Sequence, residues 1–357
     1  LPFFLVVAPL VFFGLYNLSK KENIKQMFSI QGFYYILAFS IIAIASPIIF
    51  GNINGLLGGI FCFFLFILAV RSRIIMDKKL FDNIMKISVV LSIGSFVIAL
   101  IQKCIFEFAI VEQHIYRSKS TFFNTNYYAF IIDIVILICV YKIATRSKYK
   151  LFYYGVIFIN LSGLILSLNR SSYLAVLLGI MIFLFFTEKK TYAYTMFIII
   201  VIVLVSTYIC PSIIPRFASF KGNSNTRFEI FNTAINGIRH NSLFANLFGR
   251  GLWGYQQIVS SFGGKFALTA HSILLDPLVS FGFVGTACLI GYFVTQIKAL
   301  IYNAKNKALV YQRALVVALL VTTVVHNVAD LPIIGIQTPI MLLILMSISG
   351  VEYKKRA

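Results

Sequence analysis

The sequence predicts an all-α, polytopic transmembrane helix bundle, and three observations carry that prediction. The chain is 60% hydrophobic and 12% charged, with a mean hydropathy of +0.91, whereas soluble domains carry roughly 25% charged residues. Its apolar runs come in blocks of about 16–22 residues, the length that crosses a hydrocarbon core of roughly 30 Å at 1.5 Å per residue. The alternating segments of about ten residues that build a membrane barrel do not occur.

The runs place about eleven spans, at approximately 1–18, 30–50, 55–70, 84–105, 125–145, 152–168, 172–187, 191–210, 272–295, 314–331 and 333–350. The first has no charged leader and no cleavage site, so it reads as a span rather than a signal peptide. Basic residues then set the orientation. Lys20, Lys21 and Lys25 follow the first span; Arg71, Arg73, Lys78 and Lys79 follow the third. Lys142, Arg146 and Lys148 follow the fifth, Lys189 and Lys190 the seventh, and Lys298, Lys305, Lys307 and Arg313 the ninth. Lys354, Lys355 and Arg356 close the chain. These connections are shorter than the alternate ones yet richer in cations, so the positive-inside rule makes them cytoplasmic, with the C-terminus inside. Counting back places residue 1 outside. The expectation is therefore a protein of about twelve spans, both ends inside, whose first span precedes residue 1.

The same alternation divides the chain into three parts. Residues 1–210 form the first part of the bundle, 211–271 a large external loop, and 272–357 the last part with the cytoplasmic C-terminus. A loop of about sixty residues is rare unless functional. Helical patterning in TRFEIFNTAINGIR (226–239) makes it a small helical external domain.

Composition also excludes function classes. The net charge of +20 comes from 31 basic and 11 acidic residues. The basic residues sit in short loops between apolar runs rather than along one soluble face, so membrane lipids, not nucleic acid, are the expected partner. Cys62, Cys104, Cys139, Cys210 and Cys288 lie in or beside apolar runs with no metal-ligand spacing. No Walker A, GxSxG, HExxH or CxxC motif is present. An enzyme of this kind would need a lipid-linked, already activated donor, and no metal or cofactor is expected.

The candidate chemistry lies toward the external face. Arg117 and Lys119 sit in the 106–124 loop and Arg170 in the tight turn SLNRSSY. Arg216, Lys221, Arg227, Arg239, Arg250 and Lys265 lie in the long loop. Arginine grips phosphate oxygens in bidentate fashion, so the set reads as a site for an anionic headgroup, most simply a lipid diphosphate. The plainer alternative is a solvated loop touching headgroups. His271 ends the long loop, and an imidazole with the ordinary pKa near 6.5 can accept a proton from an attacking hydroxyl. Asp276 lies roughly a turn and a half further on. His326 and Asp330 are spaced i,i+4 and form a candidate structural polar pair. Asp133, about two turns into its span, is expected to face the bundle interior toward a buried cation.

Four segments carry a family resemblance. TFFNTNYYA (121–129) resembles the TFxNPNxxA signature of the O-antigen ligase and polymerase superfamily, and LSLNRSSYLAVLLG (166–179) resembles its SR turn. RFEIFNTAINGIRHNSLFANLFGRGLWGY (227–255) and AHSILLDPLVSFGFVG (270–285) resemble its long-loop motifs. Thr125, Asn169, Phe231 and Ser272 depart from the pattern, which marks a divergent branch. The resemblance implies transfer of a glycan from undecaprenyl diphosphate to an acceptor hydroxyl on the extracytoplasmic face of the cell membrane. It implies catalytic roles for His271 and Arg170, and diphosphate binding by Arg227 and Arg250; Arg216, Asn124, Asn126 and Asp276 are further candidates for substrate binding. The expected activity is polymerisation of lipid-linked oligosaccharide repeat units into capsule, exopolysaccharide or O-antigen. A chain-length regulator and a flippase would be its partners. The alternatives are ligation of finished glycan to another acceptor, or a flippase or other transporter. Against the transporter stand the lack of inverted repeats and the clustering of polar groups at one face.

Overall fold

The computed structural model describes residues 26–109, 116–122, 124–145, 148–187, 220–302, 310–328 and 337–347, together with 192, 194 and 198. Among these residues there is no strand. Six helices among the described residues are long and apolar enough to cross a membrane, and two shorter apolar ones accompany them. The architecture is an all-α polytopic bundle.

The chain divides into two compact units. Unit 1 holds α1 (Phe33–Ile49), α2 (Ile53–Ile75), most of α7 (Phe220–His240), α8 (Leu243–Phe248), α9 (Gly254–Phe262), α10 (Leu275–Tyr302) and most of α12 (Gln337–Met346). Unit 2 holds α3 (Lys78–Ala109), α4 (Thr125–Ala144), α5 (Lys150–Ser167), α6 (Arg170–Phe186) and α11 (Val310–Asn327).

In unit 2, α4 is apolar on every side, which suits a helix packed all round. Ile134 through Cys139 are all fully buried. Small residues let α6 and α11 approach closely, the usual device where no hydrophobic gradient drives helices together. A Cβ on Gly179 would lie 2.2 Å from Thr322 Oγ1, and that hydroxyl donates to Ala175 O at 3.2 Å. In unit 1, α1 and α2 pair in the same way, with Gly59 against the Ala43 carbonyl. Phe33, Ile36, Phe66, Val70, Tyr292 and Leu343 share one apolar cluster there.

The described helices overlap the predicted spans, with ends that differ by up to seven residues. Spans 1–18 and nearly all of 191–210 lie outside the described residues. The span predicted over 272–295 is α10, and it carries a kink: Gly282, about two turns from its start, takes φ 67° and ψ −174°. The helix predicted from 226–239 is α7.

Candidate functional site

Polar residues gather in each unit, and in unit 1 the break in α10 organises them. At Gly282 the helical hydrogen bonds to the Val279 and Ser280 carbonyls are interrupted, and a buried carbonyl needs a partner. The segment Gly249–Arg250–Gly251 supplies it: Arg250 N donates to Val279 O at 3.2 Å and Gly251 N to Ser280 O at 2.8 Å. Only glycine permits this approach. A Cβ on Gly249 would lie 2.3 Å from Ser280 O, and one on Gly282 2.4 Å from Leu247 O. Both glycines also have positive φ. The loop is tied on its other side by Ser46 Oγ, which donates to Phe248 O (2.6 Å), and by Asn52 Nδ2, which donates to Arg250 O (2.9 Å).

With its backbone held, the Arg250 side chain is fixed as well. Its Nε and Nη2 donate to Asn241 Oδ1 at 3.0 and 2.6 Å. Its Cζ lies 5.7 Å from the Phe50 ring centre and 5.8 Å from that of Phe262, within cation–π range. Partial burial lowers the guanidinium pKa from its ordinary value.

His271 stands just before α10 with φ 49°, in the left-handed region. For a residue with a side chain that conformation costs about 1–3 kcal/mol and persists only where its surroundings enforce it. Asp276 does so: its buried carboxylate accepts the Ala270 N–H at 2.9 Å. The Ser272 hydroxyl accepts the Leu274 and Leu275 N–H groups at 3.4 Å each, starting the helix. Arg250 and His271 are thus both held by the two-turn segment Leu275–Ser280. Asp276 and Val279, which anchor them, are separated by about 4.5 Å along the helix axis. Arg227 lies about two turns into α7, on the face of Ile230, Phe231 and Ala234 by helical spacing. That face packs on Tyr255, Ile258 and Ala270.

In unit 2 two of the motif segments meet. Asn124 caps α4 by accepting the Asn126 N–H (3.0 Å), and Asn169 caps α6 by accepting the Ser172 N–H (3.2 Å). Asn169 Nδ2 and Arg117 Nη2 both donate to Asn126 Oδ1, at 2.8 and 3.1 Å. Arg117 Nε donates to Ser167 O at 3.0 Å. Arg170, half-buried, is the first residue of α6 within this cluster. Below it Asp133 accepts from Ser172 Oγ, and its Oδ2 lies 2.5 Å from His326 Nδ1.

The structure therefore places His271, Arg227, Arg250 and Asp276 in unit 1 and Asn124, Asn126, Arg170 and His326 in unit 2. Arg216 and Asp330 lie outside the described residues, so the His326–Asp330 pair does too; the partner seen for His326 is Asp133. The sequence reading missed the supporting residues Asn52, Asn241 and Ser46. Asn169 carried a signal, since an Asn immediately before an apolar run is a helix start. Among the described residues no group of three His, Cys, Asp or Glu side chains is placed to hold a metal.

Residues 155–290 match the family described as O-Antigen ligase. The match runs from the first turns of α5 through the Arg170 turn, the Gly249–Gly251 loop and His271 into α10, and it supports membership of the O-antigen ligase/polymerase superfamily. With the long apolar helices, it supports a multi-pass membrane enzyme of the ligase/polymerase type. No curated protein matches the chain.

Proposed function

We propose that the chain is a membrane glycosyltransferase. It polymerises undecaprenyl-diphosphate-linked oligosaccharide repeat units into surface polysaccharide on the extracytoplasmic face of the cell membrane. The observation that carries this reading is the shared anchoring of Arg250 and His271 on Leu275–Ser280. A fixed cation and a histidine whose backbone is anchored on the same short segment suit the two charges that a glycosyl transfer develops.

In the proposed step an acceptor hydroxyl attacks the anomeric carbon of the donor sugar. The new C–O bond forms as the bond to the diphosphate breaks. The lipid diphosphate leaves with the bonding pair, and the hydroxyl proton passes to His271. Arg250 and Arg227 neutralise the leaving diphosphate, a preorganised electrostatic role needing no reorganisation during reaction. Asp276 positions His271 through the Ala270 backbone. Arg170, with Asn124 and Asn126 beside it in unit 2, is proposed as a further phosphate-binding group. The external placement of residues 211–271 and the cytoplasmic C-terminus belong to the same proposal, as do the chain-length regulator and flippase as pathway partners.

A second reading, ligation of finished glycan to another acceptor, is favoured by the description of the matching family. Product analysis separates the two. Membranes supplied with lipid-linked repeat units should yield long glycan still attached to lipid diphosphate. Glycan found only on a diphosphate-free acceptor would replace polymerase by ligase. The reaction should also proceed in excess EDTA, since arginines carry the charge neutralisation. A loss reversed by magnesium would transfer that role to a cation.

A further inference from the structure

We propose that unit 1 carries a binding site for a neutral sugar residue, centred on Trp253; this rests on the glycosyl-transfer reading above. A cavity of about 520 Å³ opens between the α1–α2 turn and α9. Asn52, Asn54, Trp253, Gln256, Gln257 and Ser260 line it, and no charged side chain does. In a chain of net charge +20 that lining selects against phosphate, which is gripped by cations. It suits a pyranose ring instead. Amide side chains both donate and accept, matching hydroxyls that also do both, and an indole offers a broad apolar surface with one polar edge for the ring's C–H face.

The groups divide between building the wall and facing a ligand. Asn52 is committed to the wall: Nδ2 donates to Arg250 O and Oδ1 accepts the Gly55 N–H at 2.8 Å. The Ser260 hydroxyl donates to the Gln257 carbonyl at 2.9 Å. Gln257 Oε1 is different, being buried with no hydrogen-bond partner among the described residues. A buried amide oxygen normally finds a donor; this one is out of contact with the open cavity, and a rotation of the Gln257 side chain brings it to a sugar hydroxyl.

Trp253 itself is held in a conformation that a bulky residue rarely adopts, with φ 61° at the start of α9. The turn that enforces it is closed by Gly254 N donating to Gly251 O at 2.9 Å, and the Trp253 carbonyl accepts the Gln256 N–H at 3.0 Å. Unfavourable backbone geometry persists where surroundings enforce it, and it gathers at ligand sites. Through Asn52 the pocket wall touches the Arg250 backbone, so the neutral site adjoins the loop assigned to the diphosphate. A glycan beside its diphosphate needs that juxtaposition.

Trp253 is the only tryptophan among the 357 residues of the chain, so the tryptophan emission of this purified chain reports on the pocket. The probe is the neutral oligosaccharide fraction released by mild acid from the host's own surface polysaccharide, with inorganic pyrophosphate as the charged comparison. Emission should change saturably with the oligosaccharides and persist at about 1 M salt, where charge attraction is screened within about 3 Å. Pyrophosphate should leave it unchanged. Gln257→Ala, and separately the exposed Asn54→Ala, should weaken binding by up to about tenfold, the range of one lost hydrogen bond. Flat emission with the oligosaccharides, binding untouched by both substitutions, or displacement by pyrophosphate would each overturn the site. Glycosyl transfer measured on the same preparation separates the two proposals. Transfer with flat emission removes the sugar site and keeps the function. Saturable emission without transfer keeps the site and removes the function.

Discussion

Gly249 and Gly282 pack backbone against backbone: a Cβ on Gly282 would lie 2.5 Å from the Gly249 nitrogen, and one on Gly249 2.4 Å from Phe281 N. Main chain cannot swing aside as a side chain can. Gly282→Ala should therefore separate the Gly249–Gly251 loop from α10, and Arg250 with it. Activity should be lost and the thermal midpoint lowered. Gly94 and Gly155, in α3 and α5, have nothing within 4 Å of a built Cβ. Alanine there should be neutral or stabilise by about 0.5–1 kcal/mol. Unfolding in detergent checks both, and equal effects at Gly282 and Gly155 would show that the close approach does not matter.

The spans were legible because each is an apolar block of bilayer length. The break at Gly282 was not. One glycine in SFGFVG looks the same in a continuous span, and only the incoming loop shows that two carbonyls have left the helix. The partner of His326 was illegible for a different reason. Spacing along one helix can nominate only Asp330, which lies outside the described residues; Asp133 lies 193 residues away in sequence and meets His326 only once α4 and α11 have packed. Arg250 could be nominated as a phosphate-binding residue, but not the Asn241, Phe50 and Phe262 that fix it.

Two arginines of unit 2 should respond differently to lysine. Arg117 spans Ser167 O and Asn126 Oδ1 with separate nitrogens, a fork that an ammonium cannot reproduce. Arg117→Lys should therefore lower the melting temperature. Arg170→Lys should keep it and lower activity by about 10²-fold, the scale of one missing transition-state donor. Near-normal activity in Arg170→Lys would reduce Arg170 to a general electrostatic or structural cation.

The Asp133–His326 contact should act on stability rather than turnover. Asp133→Ala leaves His326 Nδ1 and the Ser172 hydroxyl facing no acceptor in a fully buried setting, and breaking such a pair costs about 3–5 kcal/mol. Replacing both, Asp133→Leu with His326→Phe, should recover much of the loss, because only the Ser172 hydroxyl is then left without its acceptor. Thermal unfolding of the single and double variants decides it. A single variant that melts like the parent would show that the pair contributes nothing to the fold.

His271 poses the harder test, because its backbone and its imidazole could each explain a loss of function. Asparagine adopts the left-handed region more readily than most residues, so His271→Asn should keep the turn that Asp276 enforces through Ala270. It removes the base. Removing a general base typically costs about 10²–10⁴-fold in rate, and the donor should still bind, since the arginines are untouched. Single repeat units should then accumulate on the lipid while the protein level stays normal. His271→Gly relieves the backbone conformation entirely, so it should be at least as stable as the parent and equally slow. If His271 served only to shape the turn, both variants would instead turn over at the parental rate per folded molecule. Asp276→Asn separates position from chemistry. Its remaining carbonyl oxygen can still accept the Ala270 N–H, so it should retain most activity, whereas Asp276→Ala frees the loop and should approach the loss seen in His271→Asn. Full specific activity in His271→Asn would end the assignment of the proton to this residue.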